Sequence, residues 1–281
     1  MLARLLFVLA APLLLTGCLI TPGKFVSELV LEKDGTFAFT YEGEIFFLGL
    51  SKLAQMEQAS QEFEPETCYD DEFEPRECTA QELADQRAQW DEGAAERAAK
   101  AKKDAEEMAA MMAGIDPTDP EAADELRQLL LRHKGWNRVD NKGDGVFDIS
   151  YSTSGQLSHD MMFPVIEGFP NTTFFVQVIL RDDNVVRVEA PGFAMQDNAN
   201  PLGAMMGGMA ALKTLGSGSK MEQASESFPK LDGTFTIVTD GKILANNTDE
   251  GPRESAGKSQ LEWKVDQRTT DSPTALVKLG G

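Results

Sequence analysis

Two histidines, His133 and His159, are all the imidazole in 281 residues. Proton-relay chemistry near neutral pH would have to be built around one of them. His159 lies between Ser158 and Asp160, yet three consecutive residues cannot fold back into a relay whose members must approach from separate elements. His133 closes a leucine-rich helical pattern, a position where a cation suits the helix dipole. No Gly-x-Ser-x-Gly elbow occurs, and neither Cys68 nor Cys78 has a nearby partner base. Residues 251–259, running from Gly251 through Gly257 to Lys258 and Ser259, place five residues between glycines where a phosphate-binding loop has four. They also lead into a strand pattern rather than a helix N-terminus. Asp140-Asn141-Lys142-Gly143-Asp144-Gly145 with Asp148 suggests a calcium loop, but its third position is Lys142 and its twelfth Tyr151, a cation and a phenol. A tight turn explains the glycines. With no catalytic role filled, the expectation is a protein that is not an enzyme and carries no cofactor or metal.

Composition narrows the partners. Lys and Arg number 26 against 46 Asp and Glu, a formal charge of −20. Nucleic acid would be repelled rather than neutralised. Broad adsorption to anionic headgroups is disfavoured for the same reason. The 42% of hydrophobic and 26% of charged residues are those of a globular protein.

The N-terminus carries an address. Met1 and Arg4 precede an apolar run over residues 5–15, too short for a hydrocarbon core of about 30 Å and interrupted by Pro12. Leu15-Thr16-Gly17-Cys18 then resembles the lipobox of bacterial lipoprotein signal peptides. That resemblance implies cleavage of a signal peptide at residues 1–17, a diacylglycerol on the Cys18 thiol and acylation of the new amine, with residues 18–23 as lipidated anchor and tether. Several acyl chains would hold the protein almost permanently. The implied place is the periplasm-facing cell envelope, and Leu19 in place of Asp points to the outer membrane by the enterobacterial sorting rule. With Cys18 spent on lipid, Cys68 and Cys78 remain as a pair ten positions apart, and an oxidising periplasm favours a disulfide between them. Free thiols or a metal are the other reading, and the metal lacks further ligands in this stretch.

Hydropathy divides the remainder. Residues 24–47 read as a hairpin: Leu29 and Leu31 alternate with polar neighbours, Lys33-Asp34-Gly35-Thr36 supplies a turn, and Phe37, Phe39, Tyr41, Ile45 and Phe47 keep one parity. Residues 51–61 read as a short helix, followed by an acidic loop that contains both remaining cysteines. A long helix is expected over residues 79–113, with Thr79 and Glu82 spaced as a capping box. Its apolar stripe would be Leu83, Trp90, Ala94, Ala98, Ala101, Ala105, Met108 and Met112. Packing on the protein's own sheet is the expected fate of that stripe, and docking a partner is the alternative. A second helix begins at Asp119-Pro120, carries Leu126, Leu129, Leu130 and Leu131 on its apolar side, and ends at Gly135. Strands return at 146–152, 173–181 and 184–189. A further hairpin is expected from 233–239 and 242–245 around Asp240-Gly241, with closing strands at 260–265 and 274–279. The segment 201–215 places Met205, Met206 and Met209 among Gly and Ala, either as a core plug or as an apolar ligand or membrane contact. The fold class is α+β: one domain over residues 24–281, a curved antiparallel sheet with a helical insertion at about 79–135 after the first hairpin.

The chain is also similar to the LppM-like lipoproteins of bacterial envelopes. The similarity covers residues 25–47 and, in the last third, 234–245, Asn246-Asn247-Thr248, Leu261-Glu262-Trp263-Lys264-Val265 and Pro273-Thr274-Ala275-Leu276. It implies a strand, a small polar turn and a Trp-bearing strand closing a curved antiparallel sheet, with a helix against it and lipid binding as the function. It carries over no ligand residue. The leading expectation is a non-catalytic binding module for a lipid-like apolar ligand, in a pocket partly covered by Met205, Met206 and Met209. The alternative is an interaction lipoprotein that docks an envelope protein through the Ala/Met-striped helix. A periplasmic hydrolase comes third and would need a cleft gathering His133 or His159 with carboxylates. The expected partners are the membrane, through acyl chains on Cys18, and a lipid or an envelope protein. A dry pocket would favour the first reading, and an uncovered Ala/Met/Trp90 face the second.

Overall fold

The computed structural model describes residues 20–51, 63, 65–70, 74–117, 119–169, 174–194, 229–255 and 257–280. The first two strands, β1 (Ile20–Leu31) and β2 (Thr36–Phe47), form the expected hairpin. Its turn is local chemistry: the Asp34 carboxylate accepts the Thr36 N–H at 2.8 Å, and Gly35 takes φ +83°. Along β1 burial alternates from Lys24 to Leu29, and Leu29, Leu31, Phe39, Tyr41, Ile45 and Phe47 are all buried. Residues 20–23, expected as part of a tether, are instead the first four residues of β1 and are buried.

The later strands are β3 (Cys68–Tyr69), β4 (Pro75–Arg76), β5 (Trp136–Gly143), β6 (Val146–Gln156), β7 (Met161–Phe163), β8 (Val176–Arg181), β9 (Val185–Glu189), β10 (Asp232–Thr239), β11 (Lys242–Asn246), β12 (Arg253–Ser255), β13 (Lys258–Asp266) and β14 (Thr274–Lys278). Seven form one sheet in the order β12-β13-β10-β1-β2-β6-β5, and five form a second in the order β11-β14-β9-β8-β7. Every pair is antiparallel except β1 with β10, which run parallel from Lys24 opposite Asp232 to Leu31 opposite Thr239. The single antiparallel sheet of the sequence reading is therefore two facing sheets with one parallel pair, and β3 and β4 form a small ladder of their own.

The hairpin expected around Asp240-Gly241 does not form. β10 lies in the larger sheet and β11 in the smaller, so this turn hands the chain from one layer to the other. Two hydrogen bonds brace the corner: Thr239 Oγ1 donates to the Leu31 carbonyl at 2.7 Å, and Asp240 accepts the Lys33 N–H at 2.6 Å.

Rings fill the space between the sheets. Phe25 stacks on Phe193 at 4.2 Å, Phe163 reaches Tyr41 at 5.1 Å and Phe39 at 5.2 Å, and Phe193 meets Phe235 at 5.5 Å. Each such buried aromatic contributes a few kcal/mol.

Among the described residues there are three helices: α1 (Ala80–Glu92), α2 (Ala94–Met111) and α3 (Ala122–Arg132). α3 lies against β5 with Leu126 and Leu130 buried. It starts at Ala122 rather than at Pro120, because the Asp119 carboxylate closes a turn on the Glu121 N–H first. Leu131, assigned to its apolar side, is exposed, a rotation of 100° beyond Leu130.

Candidate interaction surface

Cys18, Met205, Met206 and Met209 lie outside the described residues, as does the helix expected over 51–61 except for Ser51. Cys68 and Cys78 are joined, with Cα atoms 5.2 Å apart. The two histidines do not share a site. His133 Nε2 faces Glu167 at 3.6 Å, and His159 Nδ1 meets the neighbouring Ser158 hydroxyl at 3.1 Å. Around the calcium-like loop, Arg138 takes up two of the three carboxylates, Asp140 at 2.9 Å and Asp148 at 3.0 Å. Those bonds, Asp148 first, hold the guanidinium pKa above its ordinary value. Among the described residues no cluster of His, Cys, Asp and Glu is arranged to hold a metal ion.

A cleft of about 420 Å³ between the 247–253 and 268–271 loops is lined by Arg253, Glu262, Trp263, Lys264, Arg268 and Asp271. Its walls are charged, and the Trp263 indole N–H is spent on Asn247 at 3.0 Å. Such a cleft does not match an apolar ligand. Between the two sheets the described aromatic rings lie in contact with one another.

The helical insertion is arranged differently. Thr79 caps α1 as a capping box: its hydroxyl accepts the Glu82 N–H at 3.3 Å, while the Glu82 carboxylate accepts the Thr79 N–H at 2.8 Å. Arg76 of β4 binds the same carboxylate, at 2.6 and 2.9 Å. The Arg76 bonds, then those from Thr79, pull the Glu82 carboxyl down to about 2. The Gln86 side chain accepts the Glu66 N–H at 2.9 Å, and Trp90 meets Phe63 edge-on at 6.1 Å. The cysteine loop is thus stitched to α1.

The long helix is broken at Gly93, where the lack of a side chain weakens the helix and Arg97 folds back over the Trp90 ring at 3.7 Å. α2 ends where Ala113 and Gly114 both take positive φ. Beyond it Met112 and Ile115 are buried in the main core.

Among the described residues, the expected stripe ahead of Met112 is not covered by the sheet. No residue of α1 is buried. Ala94 and Ala98 are exposed, and Leu83, Trp90, Ala101 and Ala105 are half-buried. The side chain of Met108 lies outside the described residues. The expectation that the stripe packs on the protein's own sheet is corrected. Alanines bury too little area to draw a helix onto a sheet already sealed by aromatic rings. Lys100–Asp104, Lys102–Glu106 and Lys103–Glu107 pairs, at 2.6, 3.8 and 3.3 Å, occupy the other faces of α2 and leave the alanines clear. Sequence reasoning found the stripe by its spacing but had no signal for what would cover it.

The fold is of the mixed helix-and-sheet class, with a large, mostly antiparallel sheet that does not close into a barrel. No family model matches the chain, and no curated protein matches it. Among solved structures, the NMR structure of the folded domain of LppM from Mycobacterium tuberculosis is similar over 94% of this chain and 93% of that one, with a TM-score of 0.36 and 9% identity. A likeness of that size says nothing about what the chain binds.

Proposed function

We propose that the protein is a lipid-anchored lipoprotein of the cell envelope that acts without catalysis, using the arm formed by α1 and α2 to dock a helix of an envelope protein. The observation that carries this reading is the Ala94–Ala98 face, exposed and, among the described residues, uncovered, continuous with Ala101 and Ala105 on a helix whose C-terminal end is rooted in the core through Met112 and Ile115. A stripe of alanines lets a partner helix approach closely, at the short end of the usual 8–10 Å interaxial range. The anchor at Cys18 keeps the arm concentrated at the membrane, where weak docking suffices.

Labelling of single cysteines in intact envelopes tests the reading. With a membrane-impermeant maleimide, Ala98→Cys is expected to react several-fold more slowly in envelopes than in the purified protein. Lys103→Cys, on the charged face, should react equally in both. Equal reactivity of Ala98→Cys in both settings would overturn the docking role.

A further inference from the structure

The distance between the implied lipid and the folded sheet is set by covalent geometry. Ile20 is already part of β1, opposite Phe47 of β2, and buried. Only Leu19 separates it from Cys18. Two peptide steps bring the Cys18 Cα within about 7.6 Å of the Ile20 Cα, however the chain runs. A lipid on Cys18 would therefore be fixed to the end of a central strand of the folded sheet, with no slack to let the domain stand off or tumble.

β1 has two ends of different character. At the Ile20 end, the Phe47 N–H donates to the Gly145 carbonyl at 2.8 Å. That bond places the 141–145 turn within about two strand spacings, or 10 Å, of Ile20. Asn141, Lys142 and Gly143 on this turn are exposed. Ser51, the last described residue before the cysteine loop, lies against Gly145. At the other root of the arm, Ala113 packs on Gly168, and the next residue, Phe169, meets the Phe47 ring. The C-terminal root of the arm thus sits at the Ile20 end, and the chain leaves the larger sheet towards the cysteine loop from that same end. The Leu31 end lies about 36 Å away along the strand. It carries tight turns: Lys33–Gly35, the Asp240 corner, and Gly280 bonded to the Lys33 carbonyl.

We infer that the protein rests directly on the bilayer with the Ile20 end of the larger sheet down, so that the 141–145 turn meets the lipid headgroups and the arm is rooted at the membrane surface. This inference rests on the lipid-anchor reading of Cys18, and it narrows the partner of the arm to a membrane-embedded protein.

The test uses the full lipidated chain, purified from membranes and reconstituted in vesicles of phosphatidylethanolamine and phosphatidylcholine doped with a headgroup-nitroxide lipid. A fluorophore on Lys142→Cys is expected to lose roughly half or more of its emission, whereas one on Lys33→Cys, about 36 Å further out, keeps nearly all of it. Equal quenching at the two positions, or stronger quenching at Lys33→Cys, would overturn the orientation. Amide exchange of the unsubstituted protein gives a second readout: residues 141–145 should slow on vesicles and residues 33–35 should not. The intact mass of the same preparation separates the two ideas. Acyl chains on Cys18 with equal quenching sink the orientation alone, and a mass without acyl chains sinks the anchor and the orientation together.

Discussion

Phe193 lies face to face with Phe25, their ring centroids 4.2 Å apart and their planes 21° from parallel. Phe25 belongs to the larger sheet, and Phe193 to the short turn that follows the β9 strand of the smaller one. The stack therefore clamps one layer to the other. Phe193 also meets Phe175 at 6.3 Å and Phe235 at 5.5 Å, and is fully buried. Phe193→Ala should cost about 3–5 kcal/mol. A urea titration would read this as a fall in midpoint at unchanged slope, with Phe193→Leu losing less than half as much.

Gly43 stands where the register of β1 and β2 slips between Pro22 and Phe25. Its φ is +142°, and a β-carbon there would sit 2.2 Å from the Lys24 carbonyl oxygen. That obstacle is backbone, which cannot swing aside. Gly43→Ala should destabilise by about 2 kcal/mol or more. Thermal melts would check this against Gly155→Ala, where the backbone is not left-handed and the new carbon meets only the Phe37 ring at 3.8 Å.

Reducing the Cys68–Cys78 bond should loosen the cysteine loop and the first turns of α1 while leaving the sheets intact. The bonds made by this loop, Glu66 to Gln86 and Arg76 to Glu82, stay within the insertion. The closed loop is short, so its loss costs at most about 3 kcal/mol, and it does so locally. Hydrogen exchange with and without reductant should show faster exchange over residues 66–90 and an unchanged rate in β1. Faster exchange in β1 would contradict it.

The start of α1 should be sensitive to acid. The Glu82 carboxyl is held at about 2, against 4.5 when free, first by Arg76 and then by Thr79. A depressed carboxylate contributes stability above its unfolded value and loses it as pH falls through its folded one. The helix end should therefore be intact above pH 4.5 and fray as pH drops towards about 2. Amide shifts of residues 79–83 would follow the change, and Glu82→Gln should flatten it.

Features settled by neighbouring residues could be read directly. The Asp34–Gly35 turn needs an oxygen two residues before an amide and a residue free to take positive φ. The Thr79–Glu82 cap needs a spacing of three. Features settled at long range could not. Asp240-Gly241 has the same local chemistry as a hairpin turn, and only the pairing of β10 with β1, some two hundred residues earlier, shows that the chain is changing sheets. The Ala94–Ala105 stripe announced an amphipathic helix correctly, but period alone does not say whether the facing surface is in the same molecule. The helix expected unbroken over residues 79–113 is instead two, divided at Gly93, the residue in it with the weakest helix propensity.

The parallel pairing of β1 with β10 also sets a timetable. The first strand has one of its two neighbours within reach as soon as residue 47 is made, but the other begins only at Asp232. A ladder closed across that much chain forms slowly, since the intervening loop must be organised before the contact stabilises anything. Until then the aromatic residues of β1 and β2 have no opposite layer. The first hairpin therefore waits, unlayered, until nearly the whole chain has been made.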